Sequence, residues 1–282
     1  MKNIIIITVI LCLYGCCKDD APSSGLTGKL KTLTIIDNYT NSQRQLTCLY
    51  DSMGEFYALT SDSLSFTFTT TSSNYAFLDI DVLATDPIFN SKQKLKFNIS
   101  PIKQVENIYL VDSILQTETL LSNVFYNNHH TIDSVKYAGN SNFVHDIVNS
   151  NYNSDGQNYI QQDISWNIFT ILGGDRHYVD TITYLYTNFT NNNYIPQQIP
   201  LLETGYALLG STQNNLHFYL AQLKGYSLLN KNKNLIKTVK SKTLGFITNY
   251  EYSFNSKNQV IEMRVSKPDG NGTALMYKMT YY

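Results

Sequence analysis

Asp79-Ile80-Asp81 places two carboxyl groups two residues apart, and in an extended strand that spacing puts both on one face, as an acid/base pair requires. A solvated strand face has the same pattern and is the simpler reading. The histidines are His129, His130, His145, His177 and His217. The adjacent pair lies in a turn-like stretch, and neighbours in a strand point to opposite faces, so the two cannot share one metal. Asn151-x-Asn153-x-Asp155-Gly156 has the outline of a calcium loop, but Asn stands at its first position and Gln162 at its twelfth, leaving one carboxylate where three usually hold the ion. A plain hairpin turn accounts for it better. There is no Gly-x-Ser-x-Gly, no His-Glu-x-x-His and no phosphate loop. The reading is of a protein with no catalytic residues, no metal and no cofactor. Three aromatic residues are candidates for low-grade ligand contact: Trp166, which shares a strand face with Ile164 and Ile168 as a core residue would, and Tyr184 and Tyr186, which project from one face of their strand.

The elements that must carry these residues are strands. Of 282 residues, 43 % are hydrophobic, enough for a real core, and only 15 % are charged. The 22 Tyr and 13 Phe, with abundant Thr, Ile and Asn, favour strands and turns over helices. Lys plus Arg total 21 against 22 Asp plus Glu, so no charge excess exists to hold a nucleic acid.

Met1-Lys2-Asn3 sets a positive charge ahead of the apolar run Ile4 to Leu13, about ten residues where a spanning helix needs roughly 20. That is the form of a secretion signal. The run ends Leu13-Tyr14-Gly15-Cys16, which resembles the bacterial lipobox, with Cys16 diacylated on sulfur and becoming the first residue once 1–15 are removed. Cys17-Lys18-Asp19-Asp20 is similar to the signal that sends lipoproteins of Bacteroidota to the cell surface. Residues 16–28 then read as a lipidated flexible tether, since Ala21-Pro22-Ser23-Ser24-Gly25-Leu26-Thr27-Gly28 is too small and polar to order itself. With Cys12 in the signal and Cys16 acylated, Cys17 and Cys48 form no disulfide framework, and Cys48, between Thr47 and Leu49, reads as a small buried hydrophobe.

No Pro-rich or Gly-rich linker interrupts Lys29 to Tyr282, so 29–282 is expected to be a single β domain. Its clearest part is a closing meander: Ile247 to Phe254, a turn at Asn255-Ser256-Lys257-Asn258, Val260 to Ser266, a turn at 267–272, then Thr273 to Tyr282. A hairpin phrase recurs, in which an aromatic ends one strand, Asp or Asn caps the turn, and Gly or Asn takes left-handed φ. It occurs at Tyr50-Asp51-Ser52-Met53-Gly54, Tyr152-Asn153-Ser154-Asp155-Gly156 and Phe254-Asn255-Ser256-Lys257-Asn258, with looser copies at Tyr126 and Leu229. Asn188 to Asn215, with Pro196 and Pro200, breaks the pattern; it is expected to cross an end of the sheet and to serve as a lid or binding edge. Gln213 to Lys224 alone has a tolerable helical reading.

These turn phrases and Tyr-rich strands, best over Tyr152 to Tyr282, resemble a family of Bacteroidota surface lipoproteins of unknown function described as having a porin-like β fold. The resemblance implies an envelope location and an antiparallel meander of hairpins curled into a barrel or half-barrel, and it brings no catalytic residues. Five Asp-Ser/Thr-aliphatic or Met triplets, at Ser52, Ser63, Ser113, Ser134 and Thr181, resemble acceptor sites for O-glycosylation in Bacteroidota, although Asp-Ser is also how a turn opens a strand. The expectation is a non-enzymatic, lipid-anchored protein of the outer membrane, exposed at the cell surface, whose sheet binds a nutrient or other small molecule, a glycan or an envelope protein. A secreted hydrolase using strand carboxylates, or a structural envelope component, is the alternative. The barrel itself is not expected to cross the membrane, because its strands do not alternate apolar outward throughout.

Overall fold

The computed structural model describes residues 26–82, 91–128, 132–137, 146–152, 158–170, 174–191, 223–226, 233–243, 245–267 and 271–282. They form sixteen strands: β1 Leu30–Asp37, β2 Ser42–Tyr50, β3 Phe56–Thr60, β4 Leu64–Ser72, β5 Tyr75–Val82, β6 Ser91–Ile99, β7 Val105–Asp112 and β8 Thr117–Tyr126 in the first half. The second half contains β9 Ile132–Tyr137, β10 Asp146–Tyr152, β11 Tyr159–Thr170, β12 Gly174–Thr190, β13 Asn234–Ser241, β14 Ile247–Phe254, β15 Val260–Ser266 and β16 Thr273–Tyr281. Each strand pairs antiparallel with its chain neighbours, and β1 pairs with β16, with Leu33 opposite Met279 and Ile35 opposite Tyr277, so the sheet closes into a barrel. Closure leaves neither β1 nor β16 as an edge for a second chain to extend.

The alternation of side chains explains why this sequence closes around itself. On β4 to β6, Leu64, Phe66, Phe68, Ala76, Leu78, Leu95 and Phe97 are buried, while the residues between them are Ser65, Thr67, Phe77, Asp79, Lys94 and Lys96. Period two sends the first set inward and the second outward. The inner set joins Leu33, Leu46, Cys48, Leu59, Ile108, Val124, Ile182, Val239, Met263, Val265 and Tyr277 in one continuous apolar core.

Even-numbered strands all end at one rim, here the near rim, and odd-numbered strands end at the far rim. Both described chain ends lie at the near rim, where Gly28 N donates to the Tyr282 carbonyl at 3.1 Å and Tyr282 N to that of Lys29 at 3.0 Å. The hairpin phrases at Tyr50, Tyr126, Tyr152 and Phe254 each join antiparallel neighbours at this rim. Asp51 Oδ1 accepts from Met53 N at 2.9 Å and Glu55 N at 2.8 Å, and Asn255 Oδ1 repeats the geometry with Lys257 N at 2.9 Å and Gln259 N at 3.0 Å. Gly54 (φ 77°) and Asn258 (φ 57°) supply the left-handed residue each turn needs.

Tyrosines at the ends of even strands, two of which open the phrase, have a second task. Tyr50 Oη donates to the Leu30 carbonyl at 2.8 Å, Tyr126 to Val105 at 2.9 Å, Tyr252 to Ile236 at 2.6 Å and Tyr281 to Val260 at 2.7 Å. In each case the end of an even strand is pinned to the beginning of the strand before it, from inside the barrel. Burial pushes the phenols of Tyr50, Tyr126 and Tyr252 well above the ordinary tyrosine range, with Cys48 and Tyr282 adding to the rise at Tyr50. Burial likewise raises the Cys48 thiol, from 9.0 to about 12. A raised folded value means that the unfolded chain releases these protons first, so the stability they contribute is intact below the unfolded pKa of about 10 and is lost progressively as pH climbs beyond it. We expect the unfolding free energy to hold steady up to about pH 9 and to fall above about pH 10. Phenolate absorbance of the buried tyrosines should rise together with loss of near-UV circular dichroism; early, non-cooperative titration of every tyrosine would contradict the clasps.

The strand limits of β14, β15 and β16 agree with the expected meander to within a residue. The break expected from Asn188 onward begins later: β12 continues to Thr190, with a register shift between Tyr186 and Thr190. Most of 188–215, and the helical reading of 213–224 except Leu223 and Lys224, lie outside the described residues. Where the connection re-enters, Tyr226 is 8 % exposed and meets Phe68 edge-on at 6.1 Å, and Lys224 Nζ lies 3.2 Å from Glu55 Oε2. Phe68 belongs to β4, eight strands around the barrel from β12, so the chain between β12 and β13 reaches the opposite wall.

Candidate functional site

Three surfaces carry chemistry: the lumen, the outer wall and the rims. In the lumen the two sides differ. The β2 to β6 side is apolar, whereas β8 to β14 bring in Ser122, Ser150, Gln162, Tyr184, Thr248 and Tyr250, all buried. Tyr184 Oη donates to Gln162 Oε1 at 2.8 Å, and Gln162 Nε2 donates to Ser150 Oγ at 3.1 Å, a polar chain across three strands. Ser122 Oγ and Thr248 Oγ1 find no hydrogen-bond partner among the described residues. Asp180, 2 % exposed, accepts from Ser241 Oγ and from Thr243 N, and so ties β12 to the turn after β13. Neutral hydrogen-bonding groups therefore dominate the polar side of the lumen; its one described buried carboxylate is engaged in holding a turn.

Over β5 to β8 the outer wall carries charge from mid-height to the far rim. Asp79 pairs with Lys94 at 3.2 Å, Asp81 with Lys92 at 3.5 Å and Glu118 with Lys96 at 2.9 Å. Lys94 lies 5.0 Å from the centroid of Phe77, and Lys96 lies 5.5 Å from that of Tyr75. The two aspartates singled out as an acid/base pair are thus separate rungs of a cross-strand ladder on a face open to water. A pair of this kind contributes little to stability, about 0–1 kcal/mol, yet it determines what the wall can touch. A lysine at the bilayer midplane on the lipid face of a β-barrel costs about 2–4 kcal/mol. A membrane-spanning barrel turns apolar side chains outward and polar ones in; on β5 and β6 the order is reversed.

The other candidate residues are distributed rather than gathered. Tyr184 is buried against Gln162, Tyr186 packs partly buried on the core, and Trp166 pairs through its backbone with Tyr178 in the β11–β12 ladder. The Trp166 side chain lies outside what the structure describes. Ser52 and Ser113 are exposed in turns at opposite rims, Ser63 is half-buried at the far rim, and Thr181 Oγ1 donates to Asp163 Oδ1 at 3.0 Å. Ser134 is 8 % exposed, and a glycan there has no room in the folded barrel. The Asp residues of two triplets act as turn caps, Asp51 as above and Asp112 through Ile114 N and Leu115 N, both at 2.9 Å. His129, His130, His145 and His217, most of the calcium-like loop, and Cys16 lie outside the described residues. Among the described residues no group of three or more His, Cys, Asp or Glu is placed to hold a metal ion. Cys48 is fully buried in the core, as expected of a lone cysteine in a strand-like run.

Sequence reasoning missed the Ser150–Gln162–Tyr184 chain and the tyrosine clasps. Two of the clasps did leave a signal, the tyrosine that opens the turn phrase at Tyr50 and at Tyr126. The polar chain left none, because it depends on which strands become neighbours.

No family model matches the chain, and no curated protein matches it. Among solved structures, it is similar to a porin-like protein from Bacteroides uniformis ATCC 8492, with a TM-score of 0.53 over 91 % of this chain and 98 % of that one, at 12 % identity. At that identity the likeness is one of fold: an all-β, porin-like barrel.

Proposed function

We propose that this chain is a lipid-anchored protein of the bacterial outer membrane, facing the cell surface, that binds a nutrient, a glycan or an envelope protein without chemical conversion of it. The observation that carries the reading is the charged outer wall over β5 to β8, Lys92, Lys94 and Lys96 against Asp79, Asp81 and Glu118. A wall of this kind rejects lipid, so any hold on a membrane has to come from elsewhere, and the Leu13-Tyr14-Gly15-Cys16 sequence offers an acyl anchor on Cys16. The porin-like neighbour supports an envelope setting for the fold. The neutral, hydrogen-bonding lumen residues and the exposed rim turns suit recognition of uncharged polar groups.

The test uses protein purified from its native host. Intact mass should show loss of 1–15 and a gain of acyl mass, with hexose-type mass if Ser52, Ser63, Ser113 or Thr181 carries glycan. The same protein is added to planar bilayers and screened against an oligosaccharide array and envelope extracts by crosslinking. Silent bilayers with saturable binding of one ligand class support the reading. Stepwise conductance, or turnover of a bound saccharide, would overturn it.

A further inference from the structure

The two chain ends meet at one rim, and that has a consequence for how the barrel stands. Building on the anchor proposed above, we infer that the near rim faces the membrane and the far rim faces the medium. The first described residues, 26–29, lie against Tyr282, with Gln259 Nε2 donating to the Gly28 carbonyl at 3.4 Å. Nine residues, 17–25, separate the acylated cysteine from Leu26, where the described chain begins. A flexible linker of nine residues spans about 17 Å root-mean-square and at most about 32 Å fully extended. Strands of eight or nine residues place the far rim roughly 25 Å beyond the near one. The tether therefore favours the near rim at the surface by its ordinary span and reaches the opposite orientation only when drawn out.

The near rim is also built for a headgroup layer. Met53, 79 % exposed at the tip of the β2–β3 turn, and Ile102, 57 % exposed at the tip of the β6–β7 turn, protrude beside Lys31 and Lys103, both exposed, on the same rim. Of the acidic groups there, Asp51 is turned into its own hairpin and Glu55 is held by Lys224. Glu106 and Asp133 remain exposed among the described acidic groups of this rim. Apolar tips with flanking lysines match an interface between acyl chains and anionic headgroups. The far rim has an apolar tip of its own, Ile114 at 91 % and Leu115 at 70 % exposure. In the inferred orientation this tip is offered to the medium.

The experiment uses the full, acylated chain carrying Cys17→Ser, so that the only added thiol is the labelled one; Cys48 is buried and unreactive. Ser256→Cys marks the near rim in the β14–β15 turn and Ser113→Cys the far rim. Each variant is labelled with a fluorophore and reconstituted in phosphatidylethanolamine–phosphatidylglycerol vesicles containing a headgroup nitroxide lipid. The Ser256 label should be quenched several-fold more than the Ser113 label. Equal quenching, or stronger quenching at Ser113, overturns the orientation while leaving the anchor standing, and would mean that the Ile114–Leu115 tip and not the tether selects the face. A mature protein without acyl mass that fails to float with the vesicles removes the anchor, and the orientation falls with it.

Discussion

Replacing Phe97 with alanine is expected to lower the unfolding free energy by about 3–5 kcal/mol, the range for truncating a fully buried phenylalanine. Phe97 has no exposed surface, stands between Ala76 on β5 and Ile108 on β7, and contacts Phe68 at a ring separation of 5.9 Å. Through Phe68 the loss extends to Tyr226, so the variant also loosens the point where the chain from β12 reaches the far wall. For a domain of this size the melting temperature should fall on the order of 10 °C. The control is Lys94→Ala, one residue type away in the same alternating pattern but pointing outward, which should cost less than about 1 kcal/mol. Equal losses in the two variants, read by urea titration, would mean that the inward and outward faces of β6 have been assigned wrongly.

Cys16→Ala should abolish acylation altogether. Each buried methylene of an acyl chain contributes about 0.8 kcal/mol, so two long chains make the anchor effectively permanent and one substitution removes all of it. In cells fed labelled palmitate, the wild-type band should carry label and the variant none. Because acylation of the cysteine precedes removal of the leader in the lipobox scheme, the variant should also keep residues 1–15 and migrate as the longer form. Cys17→Ala separates this from a general effect of losing a thiol near the leader: it should keep both label and processing. Label retained in Cys16→Ala, or lost in Cys17→Ala, moves the modified residue or ends the proposal.

How much of this was legible in the residues follows from the range over which each feature is decided. The β14 to β16 meander was readable because Tyr250, Tyr252 and Phe254 alternate with polar residues and the turns carry Asn, Pro and Gly; a period of two and a tight turn need nothing beyond nearest neighbours in the chain. The capping role of Asp51 and Asn255 was readable for the same reason, since the groups they bind lie within four residues. Burial of Cys48 followed from the usual behaviour of a lone cysteine in a strand. Closure did not follow, because the pairing of β1 with β16 joins residues about 240 positions apart and either strand would look the same as an edge. The functional reading of Asp79 and Asp81 was undecidable until Lys92 and Lys94 came to lie beside them.

Local alternation and turn chemistry thus determined from the sequence alone that the chain would be a series of antiparallel hairpins with one apolar face. Tertiary structure decided which way that face turns. Wrapping sixteen strands around the apolar side put Phe56, Phe66, Phe68 and Phe97 in the lumen, set the lysine–carboxylate ladder on the outer wall and brought both described chain ends to one rim. Those outcomes depend on contacts between residues far apart in the chain, whose free energy is realised only when the whole sheet has closed.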